Sequence, residues 1–139
     1  MRMKLGKSGW LLWGLYGAFA VYAVAIGVQA KTFVFSGPLG GIKAMVWLAL
    51  FVFLAYSVYC SVTENFFRSV RSIASLQWGR QIGADLYLGL CLSLLIIYLN
   101  DGFWVAVVWL LPILIYANLA VLLYVALHFD SIAARFLGA

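Results

Sequence analysis

Asp85 is the residue of this sequence whose type and position best suit chemistry, because it is a carboxylate about three to four residues inside a long apolar run. On the membrane-insertion scale a central aspartate costs about 2.5 to 3.5 kcal/mol, so such a carboxylate needs a partner. Asn118 is the one carboxamide in the apolar run that follows, and its amide group can donate to a carboxylate. A hairpin centred near Asp101 would place Asp85 and Asn118 at the same depth. We therefore predict a hydrogen bond between these two side chains.

Three interpretations of this pair stay open. The bond could only fix the register of two helices, with Arg80, five residues before Asp85, as a second partner of the carboxylate. The same groups, with Tyr87 at nearly the same depth, could instead form a site for a ligand or an ion. In the third interpretation Asp85 acts as a general acid or base on a bound substrate.

A second group of polar residues lies toward the end of the preceding apolar run. Ser57, Ser61, Glu64 and Arg68 follow one another at spacings of four, three and four residues, which places them on one face of a helix. Glu64 and Arg68 stand at the i, i+4 spacing that allows an ion pair. We expect this face and Asp85 to form one polar cluster at the same end of the molecule.

The sequence does not predict other kinds of active site. Cys60 and Cys91 stand alone, so they form neither a CxxC redox pair nor a cysteine zinc site. No HExxH, GxSxG or glycine-rich phosphate loop occurs in the sequence. His128, the only histidine, is predicted to lie at the membrane interface at the end of the last apolar run. In the reading that we prefer, no residue is catalytic and neither a metal nor a cofactor is bound.

The elements that must hold these residues are transmembrane helices. Apolar residues make up 67% of the 139 positions and charged residues 9%, against about 45–50% and about 25% in soluble domains. A domain this small has too little interior to bury so many apolar side chains in water. Four apolar runs reach the roughly 20 residues that cross a bilayer, at residues 10–28, 41–62, 82–99 and 103–129. We predict an all-α fold in which these four helices form a bundle, a single transmembrane domain over residues 1–139.

The longest link between the predicted helices, residues 63–81, has the composition of an amphipathic helix at a membrane surface. It combines large apolar side chains with three arginines, Arg68, Arg71 and Arg80. This mixture is expected of a helix that lies in the interface. We therefore predict an interfacial amphipathic segment between the second and third transmembrane helices, in contact with membrane lipids.

The distribution of Lys and Arg predicts the orientation of the bundle. Seven of the nine basic residues would lie on one side of a four-helix bundle and two on the other. The seven are Arg2, Lys4, Lys7, Arg68, Arg71, Arg80 and Arg135, and the two are Lys31 and Lys43. Because basic loops stay in the cytoplasm, we predict that both termini are cytoplasmic (N-in, C-in). The basic residues form no phosphate-tracking patch, so no nucleic-acid partner is expected.

One stretch of the chain carries a resemblance. Trp78, the run Asp85-Leu86-Tyr87-Leu88-Gly89 and Asn118 in the next helix resemble the pattern of small uncharacterised bacterial membrane proteins, which have no assigned activity. This stretch covers about a third of the chain. The resemblance implies a bacterial inner-membrane location and implies no mechanism.

Three functions from different classes fit these observations. The first, which we prefer, is a non-enzymatic membrane protein that binds an apolar or lipid ligand or serves as an accessory subunit of a membrane complex. The second is a small oligomeric transporter or channel that uses Asp85. The third is an intramembrane enzyme that acts on a lipid or isoprenoid, with Asp85 as its general acid. The expected partners are membrane lipids, and either further copies of the chain or the subunits of a larger membrane complex.

Overall fold

The computed structural model describes residues 7–138, and within that range the chain folds into six helices. Their bounds are α1 Lys7–Gly27, α2 Gly40–Thr63, α3 Phe66–Ala74, α4 Gln77–Asp101, α5 Phe103–Tyr116 and α6 Asn118–Leu137. Four of them, α1, α2, α4 and α6, are long and apolar enough to cross a membrane. The all-α prediction is confirmed over this range, and a helix is present in the predicted amphipathic segment.

The predicted fourth helix, residues 103–129, is two helices in the structure. α5 ends at Tyr116, and Ala117 adopts φ 49° and ψ −123° before α6 begins at Asn118. Pro112 is buried inside α5, and the break falls five residues beyond it, at Ala117. The apolar run continues without interruption across Ala117, so hydropathy carries no signal of the break. The described residues therefore form six helices where four were predicted, and the four-helix bundle is not confirmed.

α5 and α6 form an antiparallel hairpin. The ring of Trp109 on α5 packs edge-on against Tyr124 on α6, with ring centroids 5.1 Å apart. These two residues stand at similar distances on either side of Ala117, as a hairpin requires. At the other end of α5, Gly102 alone separates it from α4 with φ 92° and ψ −179°, a conformation open to glycine and strained for other residues.

α6 runs parallel to α1, which corrects the predicted position of the C-terminal end. The hydroxyl of Tyr16 donates to the carbonyl of Leu119, and Gly27 lies against Leu127 and His128. Both helices therefore start toward one end of the bundle and finish at the other. We name these the proximal end, where α1 begins, and the distal end, where α1 and α6 finish. The prediction that both termini share one side is wrong for residues 7–138, because α6 reverses direction at Ala117; Arg2 and Lys4 lie outside the described residues.

The core of the bundle is centred on α6, which packs against α1, α2, α4 and α5. Ala120 and Ala126 are fully buried, and Tyr124 and Leu127 are 1% exposed. Lipid tails are as apolar as leucine, so helices associate in a membrane through close packing, which small residues permit. The alanines of α6 meet that requirement.

α3 connects α2 to α4 at the proximal end. The Asn65 side chain caps α3 by accepting from the backbone N–H of Arg68 at 3.1 Å. α3 then packs on the first turn of α4, where a Cβ on Gly79 would overlap the carbonyl oxygen of Ile73. The absence of a side chain at Gly79 therefore sets the close approach of α3 to α4.

Candidate functional site

The polar face predicted for one helix is divided in the structure, because Ser57 and Ser61 lie on α2, Glu64 follows its end and Arg68 lies on α3. Ser61 Oγ donates to the carbonyl of Ser57 at 2.9 Å, within the same helix. Glu64 ends α2, and its Oε2 accepts from Ser69 Oγ at 2.9 Å. No ion pair joins Glu64 to Arg68 among residues 7–138, because the helix ends at Thr63 and the chain is extended at Glu64, so the i, i+4 geometry is lost.

Asp85 and Asn118 are both exposed, and within the described residues their side chains form no hydrogen bond with each other. Over the described chain, no hydrogen bond or ion pair links Asp85 to Asn118 or to Arg80. Tyr87, two residues along α4, is 52% exposed. The prediction was based on equal depth, which does not determine the direction of a side chain. Asn118 stands at the tip of the α5–α6 hairpin, which Tyr16 and Tyr116 hold against α1. The functional role of these residues stays a prediction.

The structure gathers a different set of polar residues at the distal end, which we name the distal network: Asn100, Asp101, Tyr124, His128 and Ser131. The hydroxyl of Tyr124 donates to Asp101 Oδ2 at 2.6 Å and accepts from Asn100 Nδ2 at 2.9 Å. Ser131 Oγ donates to Asn100 Oδ1 at 3.1 Å. Asn100 is 4% exposed, so both functional atoms of its buried amide group are satisfied. The network joins the end of α4 to the middle of α6.

His128 completes this network. Its ring stacks on Tyr124, with centroids 4.3 Å apart and an interplanar angle of 19°. Nδ1 lies 3.1 Å from the carbonyl of Tyr124, and because a carbonyl can only accept, we assign the proton to Nδ1. Nε2 then faces Asp101 Oδ2 at 3.6 Å. His128 was expected on the side of the bundle where α1 begins, and the reversal at Ala117 places it instead against Gly27, toward the distal end.

An ion pair between Lys43 and Asp130 lies beside the distal network. Lys43 Nζ is 2.6 Å from Asp130 Oδ2, and it also donates to the carbonyls of Lys31 at 2.5 Å and Val34 at 3.1 Å. The three protons of the ammonium group therefore have three acceptors. Lys43 is 1% exposed, whereas the side chain of Asp130 is 35% exposed. This pair fastens the loop between α1 and α2, and the first turn of α2, onto α6.

Two tyrosines hold the tip of the α5–α6 hairpin against α1. Tyr116 OH donates to the carbonyl of Leu12 at 2.6 Å, and Tyr16 OH donates to the carbonyl of Leu119 at 3.4 Å. The two rings also meet edge to face, with centroids 4.9 Å apart. The tip is therefore anchored at the level of the second and third turns of α1, well away from the distal network.

A pattern in the sequence indicates the distal network, but hydropathy windows do not detect it. Tyr124, His128, Ser131 and Arg135 follow at spacings of four, three and four residues, so they share one face of a helix. Arg135 Nη1 donates to the carbonyl of Leu99 at 3.0 Å, on the same side of α6. An apolar window that stops at Phe129 divides this face, and the pattern becomes visible only when the helix is extended to Leu137.

Comparison of the chain with protein-family models, with curated proteins and with solved structures gave no match. The function must therefore be argued from the helices and the polar groups described above.

Proposed function

We propose that the chain is an integral membrane protein that acts by binding lipid and not by catalysis. The observation that carries this proposal is the exposure of its apolar helices. Only 6% of the apolar window of α2 and 11% of those of α1 and α4 are buried by the rest of the chain. Large exposed apolar surfaces need a non-aqueous neighbour, and a bilayer provides one along the full length of each helix.

In this proposal α1, α2 and α4 cross the bilayer, and α5 and α6 form a hairpin that enters from the distal side and returns to it. Leu12 and Tyr16, which contact the hairpin tip, precede Gly27 by three to four helical turns. The tip therefore lies about 16–22 Å below the distal end of α1, within a hydrocarbon core of about 30 Å. Beyond Leu127, α6 carries His128, Asp130 and Arg135, as expected of a segment at or above the membrane surface.

The proximal end is proposed to be cytoplasmic. The basic residues at this end are Lys7, Arg68, Arg71 and Arg80, with Arg2 and Lys4 preceding α1 in the sequence, and those at the distal end are Lys31, Lys43 and Arg135. Six against three keeps the positive-inside preference, although the C-terminal end of α6 now lies outside. Exposed tryptophans support both boundaries, with Trp10 and Trp78 at the proximal end and Trp104 at the distal end.

Binding is favoured over catalysis because the polar side chains that converge are engaged with one another. Lys43 uses all its protons, and the amide of Asn100 uses both of its functional atoms. Proposals that use Asp85 as a coupling group or general acid would need groups around it, and its carboxylate stands exposed on α4. We further propose the bacterial inner membrane as the location, on the resemblance of Trp78–Asn118 alone.

A second candidate, an accessory subunit of a membrane complex, is favoured by one face of α4. Asp85, Gly89 and Ser93 recur every four residues, and a Cβ on Gly89 would meet open space. Small residues at this spacing allow another helix to approach closely. A carboxylate beside them would favour a partner that offers a hydrogen-bond donor.

Cysteine accessibility tests the membrane arrangement. In a chain whose Cys60 and Cys91 are replaced by alanine, Ser36→Cys and Leu137→Cys should both react with an impermeant maleimide from outside intact cells. Ser72→Cys should react only after permeabilisation. Labelling of Leu137→Cys from the inside, with Ser36→Cys outside, would restore a transmembrane path through residues 103–129 and overturn the hairpin.

Lipid retention tests the binding function itself. The chain should resist extraction by alkaline carbonate, and after purification in a mild detergent it should carry phospholipid visible by native mass spectrometry. Removal of that lipid should lower the thermal midpoint of unfolding, because a ligand that binds only the folded state stabilises it. A chain that leaves the membrane in carbonate, or that retains no lipid and unfolds at the same temperature with or without it, would contradict the proposal.

A further inference from the structure

The short helix α3 is amphipathic, and both of its faces are open. Phe66, Val70 and Ile73 point to one side of the helix and are between 45% and 64% exposed, and Phe67 lies at the edge between the two faces. On the opposite side, a shallow groove is lined by Asn65, Phe67, Arg68, Arg71, Ser72 and Ser75. Both arginines are exposed, and neither forms an ion pair within residues 7–138.

The charge around this groove is predominantly positive. Arg68 and Arg71 stand three residues apart on the same face, and Arg80 follows in the first turn of α4. The nearest acidic residue in the sequence, Glu64, accepts a hydrogen bond from Ser69. A guanidinium group presents a fork of N–H donors that matches the oxygens of a phosphate. The groove therefore has the charge and the donors to bind a phosphate anion.

We propose that α3 is a binding site for the head groups of anionic phospholipids at the cytoplasmic surface of the membrane. This inference rests on the proposed membrane location and names the class of lipid bound. A free anion would bind only to the groove with the arginines, and an acidic protein would leave the apolar side of α3 uncovered. A bilayer surface satisfies both, because acyl chains cover the apolar face while phosphates meet the arginines. α3 has the position that this requires, since it joins two helices long enough to cross the membrane.

The placement of α3 is fixed by its surroundings. Its N-terminus is capped by Asn65, and its C-terminal end is packed on α4 at Gly79. A helix held at both ends loses less conformational entropy on binding than a free segment does. The arginines are therefore presented to the surface in one orientation.

Native mass spectrometry of the full chain can measure the proposed preference. The protein is placed in mixed micelles with equal amounts of phosphatidylglycerol and phosphatidylcholine of identical acyl chains, and the two adducts are compared. We expect the wild type to favour phosphatidylglycerol, and R68Q/R71Q to reduce this preference. Each arginine near a membrane surface contributes about fivefold, so the pair accounts for at most about thirtyfold. The preference should also weaken as salt is added, because exposed charges are screened.

The matched control removes the same charge from the distal end. Lys31→Gln with Arg135→Gln should leave the preference of the wild type in place, and Arg68→Lys with Arg71→Lys should retain most of it. If R68Q/R71Q loses helicity by circular dichroism, the single variants R68Q and R71Q are compared, each with an expected loss of about fivefold.

Several results would overturn the assignment. They are equal binding of the two lipids by the wild type, an equal loss in the distal control, and removal of the preference by millimolar inorganic phosphate or by polyglutamate at equal charge. Loss of the preference in phosphate would assign the groove to a free anion, and loss of the preference in polyglutamate would assign it to an acidic protein. Retained lipid without a head-group preference would refute this site and leave the proposed function standing, whereas no retained lipid would contradict the proposed function.

Discussion

Removing either member of the Lys43–Asp130 pair should destabilise the fold, and the two losses should differ. Asp130→Ala leaves a cation that is 1% exposed with only two carbonyl acceptors. Breaking a buried pair from one side costs about 3–5 kcal/mol, and the remaining carbonyls place this case near about 3 kcal/mol. Lys43→Met leaves a carboxylate that is 35% exposed, which water can solvate, so we expect about 2 kcal/mol. The asymmetry follows from burial and not from charge.

Unfolding by sodium dodecyl sulfate in mixed micelles, followed by tryptophan fluorescence, gives the free energy of unfolding for each variant. The double variant Lys43→Met/Asp130→Ala should lose less than the sum of the single variants, because neither charge is left alone. Lys31→Met is the control, since only the backbone carbonyl of that exposed lysine takes part; we expect less than about 0.5 kcal/mol. If Lys43→Met costs more than Asp130→Ala, or the two losses simply add, the burial argument is wrong.

Three further predictions concern other parts of the fold. Tyr124→Phe removes two hydrogen bonds of the distal network and should lower the free energy of unfolding by about 1–2 kcal/mol, measured in the same micelles. Tyr22→Phe, on the exposed surface of α1, is the control. An equal loss in the two variants would mean that the network does not stabilise the fold. Ala117→Gly should raise stability by about 1 kcal/mol, because a residue other than glycine at φ 49° and ψ −123° is strained; a loss would show that this conformation is not adopted. Gly79→Ala should speed hydrogen exchange over residues 66–74, because a methyl group cannot fit beside the Ile73 carbonyl, while Gly83→Ala, which meets open space, should not.

The positions of the helices that hydropathy alone marks could be predicted from the sequence. The reversal of the chain between α5 and α6 could not. The runs that became α1, α2 and α4 are bounded by turn residues or charges, so their positions follow from composition. The end of α5 has no such mark, because Ala117 is small and apolar and is followed directly by Asn118 in an apolar run. The reversal is held by hydrogen bonds between residues that are distant in sequence. The hydroxyls of Tyr16 and Tyr116 donate to backbone carbonyls across the α1–hairpin contact. Such contacts leave no local pattern.

The site was missed for the same reason. Asp85 and Asn118 were paired from equal depth alone, and depth does not determine which way a side chain points; both side chains are exposed in the structure. Lys43 was counted as a topological charge, whereas it is buried against α6. Asp130 gave no signal as its partner, because the two residues are 87 positions apart. The link that became α3 was identified correctly as a helical segment, since its amphipathic pattern is local.

The central position of α6 has a consequence for synthesis. α1, α2 and α4 make their principal contacts with α5 or α6 and not with one another, and α6 is the last of these helices to leave the ribosome. At about 5–20 residues per second, about 2–7 seconds pass between completion of α4 and completion of α6. During that interval α1 and α2 lack α6, their main neighbour, whereas α4 can already pack on α5. The uncovered helices are open to chaperones, to proteases and to helices of other proteins. Completion of the bundle is therefore a late step, and a nascent chain halted before residue 118 should be degraded, because α1 and α2 lack their main contacts.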